Sequence, residues 1–488
     1  MPDRQPECGR DAASHTVTAK ERRIMDKKFG KDLTMGSIPR HLLLFAIPML
    51  AGNAMQIGYG VVNTIWVGHL VGENAVGAIG VSFPVIYVLV GICMGMSMAT
   101  TILVAQFYGA KDHRMVERTV GNSFSLALIA GAVMTAAGVL SSDALLRLMA
   151  TPPENFAMAS AYLKINLAGM VLFYLGFLTN FILRGIGDTV PPMVFMSIGL
   201  GLNALLDPFL IGGFGPFPHW GLKGAACATL ISQATSLGAS IFYLNRSQHV
   251  IAFRPSKLSL DGHMTFLLFK IGLPSIVQQS LVSIGSLVVT AFVNSFGSAA
   301  TNAFGATGRI DMIVFMPALS MSIAVSALTG QNLGAGRPER VKEVFKWGVV
   351  MTSSITLFIS LVVVILSRLI LRMFGLGDDG RVMDIGVGYL RIVGSCYIFL
   401  AIMFISNGVI NGAGHTMVTM AFTLLSLWLV RVPAAWLLTR TGLGITGIWT
   451  AIVLSFVISM AASLAYYSSG RWKKSTIIKT PVVSPYVE

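Results

Sequence analysis

The sequence predicts an all-α membrane protein: twelve transmembrane helices in two parallel six-helix repeats, an N-lobe and a C-lobe, around a central cleft. Three observations predict it. The 488 residues are 54% hydrophobic and only 11% charged, about half the charge of an ordinary soluble domain. Apolar runs long enough to cross roughly 30 Å of hydrocarbon recur along the chain between short polar links. The motifs of the first half return in the second at a steady offset of about 225 residues, the mark of an internal duplication.

Residues 1–34 are polar and mixed in charge. They lack the apolar stretch of a signal peptide and are expected to form a disordered cytoplasmic tail. Met25-Asp26-Lys27-Lys28 reads as an ordinary polar start ahead of a first spanning helix, so translation from Met25 is an expectation alongside Met1. Six apolar runs follow at 41–67, 76–107, 119–140, 159–183, 191–212 and 222–244. They place the N-lobe at 35–244. A basic cytoplasmic linker covers 245–263 and carries Arg246, Arg254 and Lys257. Six further runs lie at 264–293, 300–329, 345–373, 386–410, 416–438 and 444–467, placing the C-lobe at 264–468. Residues 469–488 form a second cytoplasmic tail with Arg471, Lys473, Lys474 and Lys479.

Twelve spans put both termini on one side. Lys and Arg concentrate in the tails and in the links at 108–118, 245–263 and 330–346. The opposite loops carry few, so both termini are expected in the cytoplasm and the chain in the inner membrane. The same distribution explains the net charge of +14 without nucleic acid as a partner.

The repeat is visible residue by residue. Ile47-Pro48 corresponds to Leu273-Pro274, and Gln106…Gly109-Ala110 to Gln331…Gly334-Ala335. Arg184-Gly185-Ile186-Gly187 corresponds to Asn411-Gly412-Ala413-Gly414. Each copy holds an even number of spans, so both have the same topology and are related by an axis along the membrane normal. Such halves rock against each other and expose a central cleft alternately to the two sides.

Several function classes find no support. Cys8, Cys93, Cys227 and Cys396 are scattered and show no metal-ligand spacing, so neither a metal site nor a disulfide framework is expected. There is no Walker A sequence for ATP-driven transport, and Gly185-Ile186-Gly187 lacks the strand and spacing of a nucleotide motif. No constellation of an intramembrane enzyme is present. No cofactor is expected. The expected partners are small-molecule organic substrates and membrane lipid, and the expected state is a monomer.

The central candidate is Leu202-Asn203-Ala204-Leu205-Leu206-Asp207-Pro208. Asp207 is a carboxylate in an apolar run of the first half. An Asp at the centre of a spanning helix costs roughly 2.5–3.5 kcal/mol on insertion scales, so such residues face a partner or a water-filled cavity. Asn203 lies four residues earlier on the same helical face, and Thr229 follows in the next apolar run. Together they offer an oxygen-rich site for a proton or a hard cation. The other reading is that Asp207-Pro208 merely ends a helix at the membrane surface. Asn63 is a second polar side chain inside an apolar run. Pro48 is read near the start of the first helix, where proline is tolerated, or as a hinge.

The order and spacing of Val62–Gly68, Gln106–Ala110, Arg184–Pro191, Asn203–Pro208, Gly221–Thr229 and Gln331–Arg337 resemble the multidrug and toxic compound extrusion (MATE) transporters over residues 37–468. The resemblance implies two six-helix lobes and export of organic, often cationic, compounds by antiport against protons or sodium. It also implies an N-lobe cation site of one prokaryotic branch, with Asn203, Asp207 and Thr229 in three of its positions. Asn63 takes the fourth, where that branch carries an Asp. Asp207 is then the only titrating group of the site, which favours protons over sodium. A lipid-linked oligosaccharide flippase of the same broader superfamily is the alternative. It calls for more cavity cations than Lys164, Lys270, Arg309, Arg391 and Arg431, the basic residues well inside apolar runs.

The C-lobe holds a possible polar or substrate-contacting set: Asp311, Arg431, Gln278 and Gln279. Arg431-Val432-Pro433 stands at the repeat position of Leu206-Asp207-Pro208. Asp311 is expected to pair with Arg431 or Arg391, and Arg431 with Asp311 or backbone carbonyls. Gln106…Gly109 and Gln331…Gly334 are read as helix ends, with a gating role as the lesser alternative.

Overall fold

The computed structural model describes residues 30–214, 219–246, 251, 258–375, 380–473 and 477, and no β-strand occurs among them. The first half forms α1 (Ile38–Leu70), α2 (Glu73–Gly109), α3 (His113–Leu148), α4 (Pro153–Ala168 with Met170–Gly185), α5 (Val190–Gly212) and α6 (Leu222–Arg246). The second forms α7 (Gly262–Asn294), α8 (Ser298–Gly334), α9 (Pro338–Ile365), α10 (Gly380–Gly412), α11 (Thr416–Leu443) and α12 (Ile445–Ser468). Among the described residues eleven helices are long and apolar enough to span a membrane, and the two parts of α4, bent by 50°, make a twelfth span. The two repeats therefore appear as two sets of six.

The repeat extends to the hydrogen bonds that repair broken helix. The fourth helix of each set is interrupted: α4 at Gly169 and α10 around Gly394–Cys396. Each break frees carbonyls from the helical ladder. Thr135 of α3 donates to the Leu167 carbonyl at 3.0 Å, and Ser360 of α9 donates to the Gly394 carbonyl. These are repeat-equivalent bonds. Thr135→Val is expected to lower unfolding stability in detergent by about 0.5–1.5 kcal/mol, the net value of one such bond, as read by a thermal shift. The motif glycines also match, since Gly187 and Gly414 both have positive φ, at 83° and 89°, a conformation costly for any residue with a Cβ.

Pro48 is not near the start of α1. It lies inside that helix, as Pro274 lies inside α7. The apolar run understates the helix, which includes Ile38-Pro39-Arg40. A proline removes one backbone donor, leaving the carbonyl four residues earlier without its partner. Thr189 reaches that carbonyl, on Leu44, at 3.4 Å. In the second repeat Thr416 donates to the Ile271 carbonyl, one residue past the carbonyl of Lys270 that Pro274 frees, at 2.8 Å. The chain is thus weakened at both prolines and braced by a threonine from the start of the fifth or eleventh helix.

Packing divides the molecule into a basic end, where α1 begins, and an opposite end. At the basic end Ile38, Leu42 and Phe45 of α1 are buried with Met321 and Val325 of α8 and Val341 of α9. Reciprocally, Met264, Leu268 and Ile271 of α7 are buried with Ile102 of α2 and with Val116 and Val120 of α3. Each lobe thus holds the first half-helix of the other. At the opposite end the buried clusters stay within one lobe: Val67, Ile79, Leu163 and Ile211 in the first, Val289, Ile310, Tyr389 and Trp449 in the second. The buried apolar contacts that join the lobes thus gather at the basic end.

Polar pins reinforce this joint. Asn122 of α3 donates to Thr265 of α7 at 3.1 Å and accepts from the Asp261 backbone N–H at 2.8 Å. Asp261 caps α7 and pairs with Arg118. The Met264 and His263 backbone N–H groups, with Arg118, hold the Asp261 carboxyl below the usual carboxylate range. Residues 30–34, which the sequence reading put in a disordered tail, are ordered, with Leu33 and Thr34 buried. Residues 1–29, Arg254, Lys257, Lys474 and Lys479 lie outside the described residues.

Candidate functional site

The helix carrying Asn203 and Asp207 does not end at Pro208. α5 runs to Gly212, where Gly213 closes it in a left-handed conformation. Asp207 is fully buried and Asn203 nearly so, which removes the reading of a surface helix end. The four-residue spacing puts both on one face, and Asn203 Nδ2 donates to Asp207 Oδ1 at 3.1 Å. Asp207 Oδ2 is buried without a hydrogen-bond partner. A carboxylate in hydrocarbon needs compensation, and half of this one has none from the protein.

Asn63 of α1 supplies a second buried acceptor without a donor, its Oδ1. The residue that joins these parts is Tyr59, which sequence reasoning missed. Its hydroxyl lies 3.5 Å from Thr229 Oγ1 on α6, and it stands one helical turn before Asn63 on α1. The signal was present, because Tyr59 and Asn63 are four residues apart on one face of α1. α5 packs against both α1 and α6, so the Asn203–Asp207 pair and the Tyr59–Thr229 pair, with Asn63 one turn along α1, fall on neighbouring helices of the N-lobe.

Chemically, two orphaned acceptor oxygens ask for something positive. A proton on Asp207 supplies a donor and removes the charge. A cation would find Asp207, Asn63, Tyr59 and Thr229 oxygens, a set with a single formal negative charge. Among the described residues no group of three or more His, Cys, Asp or Glu side chains could hold a metal. Tyr59→Phe, which keeps the ring and removes the hydroxyl, is expected to lower the initial transport rate several-fold with unchanged protein yield.

The C-lobe set assembles differently. The expected ion pair of Asp311 with Arg431 or Arg391 does not form. Both Asp311 oxygens accept hydrogen bonds from tyrosine hydroxyls of α10, one from Tyr397 and the other from Tyr389. Arg431 donates through Nε to Ser455 of α12 at 2.8 Å, and its guanidinium lies 5.2 Å from the Phe456 ring centroid. Arg391 is exposed. The tyrosines reach the carboxylate because α10 packs beside α8 and presents both hydroxyls to its two oxygens. Arg431 closes a π-helical stretch, Leu424–Arg431, whereas Asp207 sits in regular helix. Gln278 is not part of this cluster, since it donates to Thr423 at 2.9 Å and to the Thr419 carbonyl at 3.4 Å, fastening α7 to α11. Gln279 is exposed.

The architecture has close counterparts among known proteins. The family model described as MatE matches twice, at residues 48–209 and 274–437, one match in each repeat. A Bacillus subtilis (strain 168) protein named "Probable multidrug resistance protein YpnP" is 31% identical over 446 residues, covering 91% of this chain and 97% of its own. The Thermotoga maritima protein named "Probable multidrug resistance protein NorM" is 27% identical over 446 residues, covering 90% and 94%. Among solved structures, one described as "Outward-facing conformation of a multidrug resistance MATE family transporter of the MOP superfamily" aligns with a TM-score of 0.82 at 25% identity, covering 92% of this chain and 99% of that one.

Proposed function

The chain belongs to the MATE family and is a transporter rather than an enzyme, and from that premise we propose that it is a secondary active multidrug exporter that exchanges organic, often cationic, compounds for protons by alternating access. The observation that carries the coupling is the fully buried Asp207 with one oxygen unpartnered, in a lobe whose first helix offers an amide, Asn63, rather than a second carboxylate. A sodium cage built on one carboxylate would be weak, whereas a proton needs only one. Loading the proton neutralises Asp207 and gives the site a donor. Releasing it restores an anion that the surroundings must answer. Because Asn63 and Tyr59 belong to α1, the change is passed to the helix that carries Pro48 and whose first half packs in the other lobe.

The excess of Lys and Arg at the basic end supports a cytoplasmic face for that end, with both termini inside. With the lobes joined there, the cleft between them opens outward. The protein works as a monomer, since each chain carries both lobes and its own cleft. The reading of a lipid-linked oligosaccharide flippase has less support. Arg431, one of the few cations inside the apolar runs, is engaged by Ser455 and Phe456.

Dye uptake into inverted vesicles under separately imposed pH and sodium gradients tests this reading. Uptake driven by the pH gradient alone is the expected result. Uptake driven only by sodium would overturn proton coupling and assign the four oxygens to a cation cage.

A further inference from the structure

The pair Gln106 and Gln331 has a role that helix ends do not need. They are repeat-equivalent, both fully buried, and each crosses the seam between the lobes. Gln106 Nε2 donates to the Gly412 carbonyl at 2.8 Å, from α2 to the end of α10. Gln331 Nε2 donates to the Gly185 carbonyl at 3.1 Å, from α8 to the end of α4. Each lobe thus contributes one donor and one helix-terminal carbonyl, the kind of group a helix leaves unsatisfied. The helix ends approach closely enough that only glycine fits. A Cβ on Gly109 would lie 2.0 Å from the Gln331 carbonyl oxygen, and one on Gly334 would lie 2.0 Å from that of Gln106.

A third strand of contacts breaks the symmetry. Residues 30–36 cross the same seam as a strap. On the N-lobe side the Lys31 N–H donates to the Ile186 carbonyl at 3.0 Å. On the C-lobe side the Leu33 N–H donates to Gln331 Oε1 at 3.0 Å, Asn332 donates to the Leu33 carbonyl at 3.3 Å, and Arg337 and Arg340 donate to the Thr34 and Gly36 carbonyls at 3.0 and 2.9 Å. Gln331 therefore uses both ends of its amide, binding the strap with one and the opposite lobe with the other.

We propose that Gln106 and Gln331 are positioning residues of the transport cycle: a reciprocal latch that holds the basic end shut, reinforced on the Gln331 side by the strap 30–36, so that the segment ahead of α1 sets how readily the lobes part. This rests on the alternating-access reading above, because the latch matters only if the basic end opens. Each donor bonds to the partner lobe, so separation must break all of these bonds together. The α1 half-helix moves with the strap because it is continuous with it.

The test is conformational and needs no coupling ion. In full-length protein without native cysteines, spin labels at Lys111→Cys and Lys342→Cys report the basic end, and labels at Leu148→Cys and Met373→Cys report the opposite end. All four positions are exposed. Gln331→Leu removes the hydrogen bonds at similar size. It is expected to raise the population with a long basic-end distance and a short opposite-end distance by about tenfold, the effect of losing one to two net hydrogen bonds. Arg337→Gln with Arg340→Gln removes the two guanidinium bonds to the strap carbonyls, together with the Arg340 Nε bond to Asn332 Oδ1, at exposed and partly exposed positions that spare the fold, and is expected to shift the same populations in the same direction by a smaller factor. Two populations in the wild type with no shift in the strap variant would overturn the strap, and no shift in Gln331→Leu would overturn the latch. A single unchanging population in every form would instead overturn alternating access itself.

Discussion

Asp207→Asn is expected to abolish gradient-driven export while leaving the protein folded in the membrane. Asparagine has nearly the same shape, and its amide oxygen still accepts the hydrogen bond that Asn203 now gives to Oδ1. Only the exchangeable proton is lost. Initial dye uptake in vesicles, at matched protein levels, should fall by at least about a hundredfold, or ~2.7 kcal/mol in the coupled step. A mild loss would mean that a second group carries the proton, and Asp311 is then the carboxylate to examine. Asn63→Asp gives a companion result in the other direction. It adds a second carboxylate to a site whose oxygens are already arranged, so a sodium gradient should gain the power to drive uptake.

Asp311→Ala should be among the most destabilising single substitutions in the C-lobe. Two tyrosine hydroxyls converge on that carboxylate, and Arg431 lies close enough to feel its charge. Removing it leaves both hydroxyls without an acceptor, at about 1–3 kcal/mol for each unsatisfied buried group. A total loss of roughly 2–6 kcal/mol should appear as a large fall in the unfolding temperature of detergent-purified protein. Asp311→Asn retains an acceptor oxygen and should lose far less. Equal stability of Asp311→Ala and the wild type would show that the cluster contributes no net stability.

The helices were readable because apolar runs and polar links alternate with a period that the bilayer imposes. Their true ends were less readable. Pro48 sits inside α1 because that helix begins before its apolar run, and hydropathy alone does not mark the polar first turn. Asp207 and Asn203 could be found in one dimension, since a carboxylate in hydrocarbon is rare and a four-residue spacing fixes a shared face. Tyr59 was hidden by being ordinary, as a tyrosine in an apolar helix is usual until its hydroxyl is seen to meet Thr229. The C-lobe shows the opposite error. Opposite charges invite pairing on paper, but Tyr389 and Tyr397 meet Asp311 first, and Arg431 turns to Ser455. The seam was least readable of all. Gln106 and Gln331 end their helices in sequence, and only the approach of the two lobes makes each the other's counterpart.

The central claim is that Asp207 exchanges a proton for substrate. Its most direct test is proton release from purified protein in weakly buffered detergent solution when a transported dye is added. Release in the wild type and none in Asp207→Asn, with dye still binding to both, is the expected result. Dye binding without any proton release in the wild type would contradict the account.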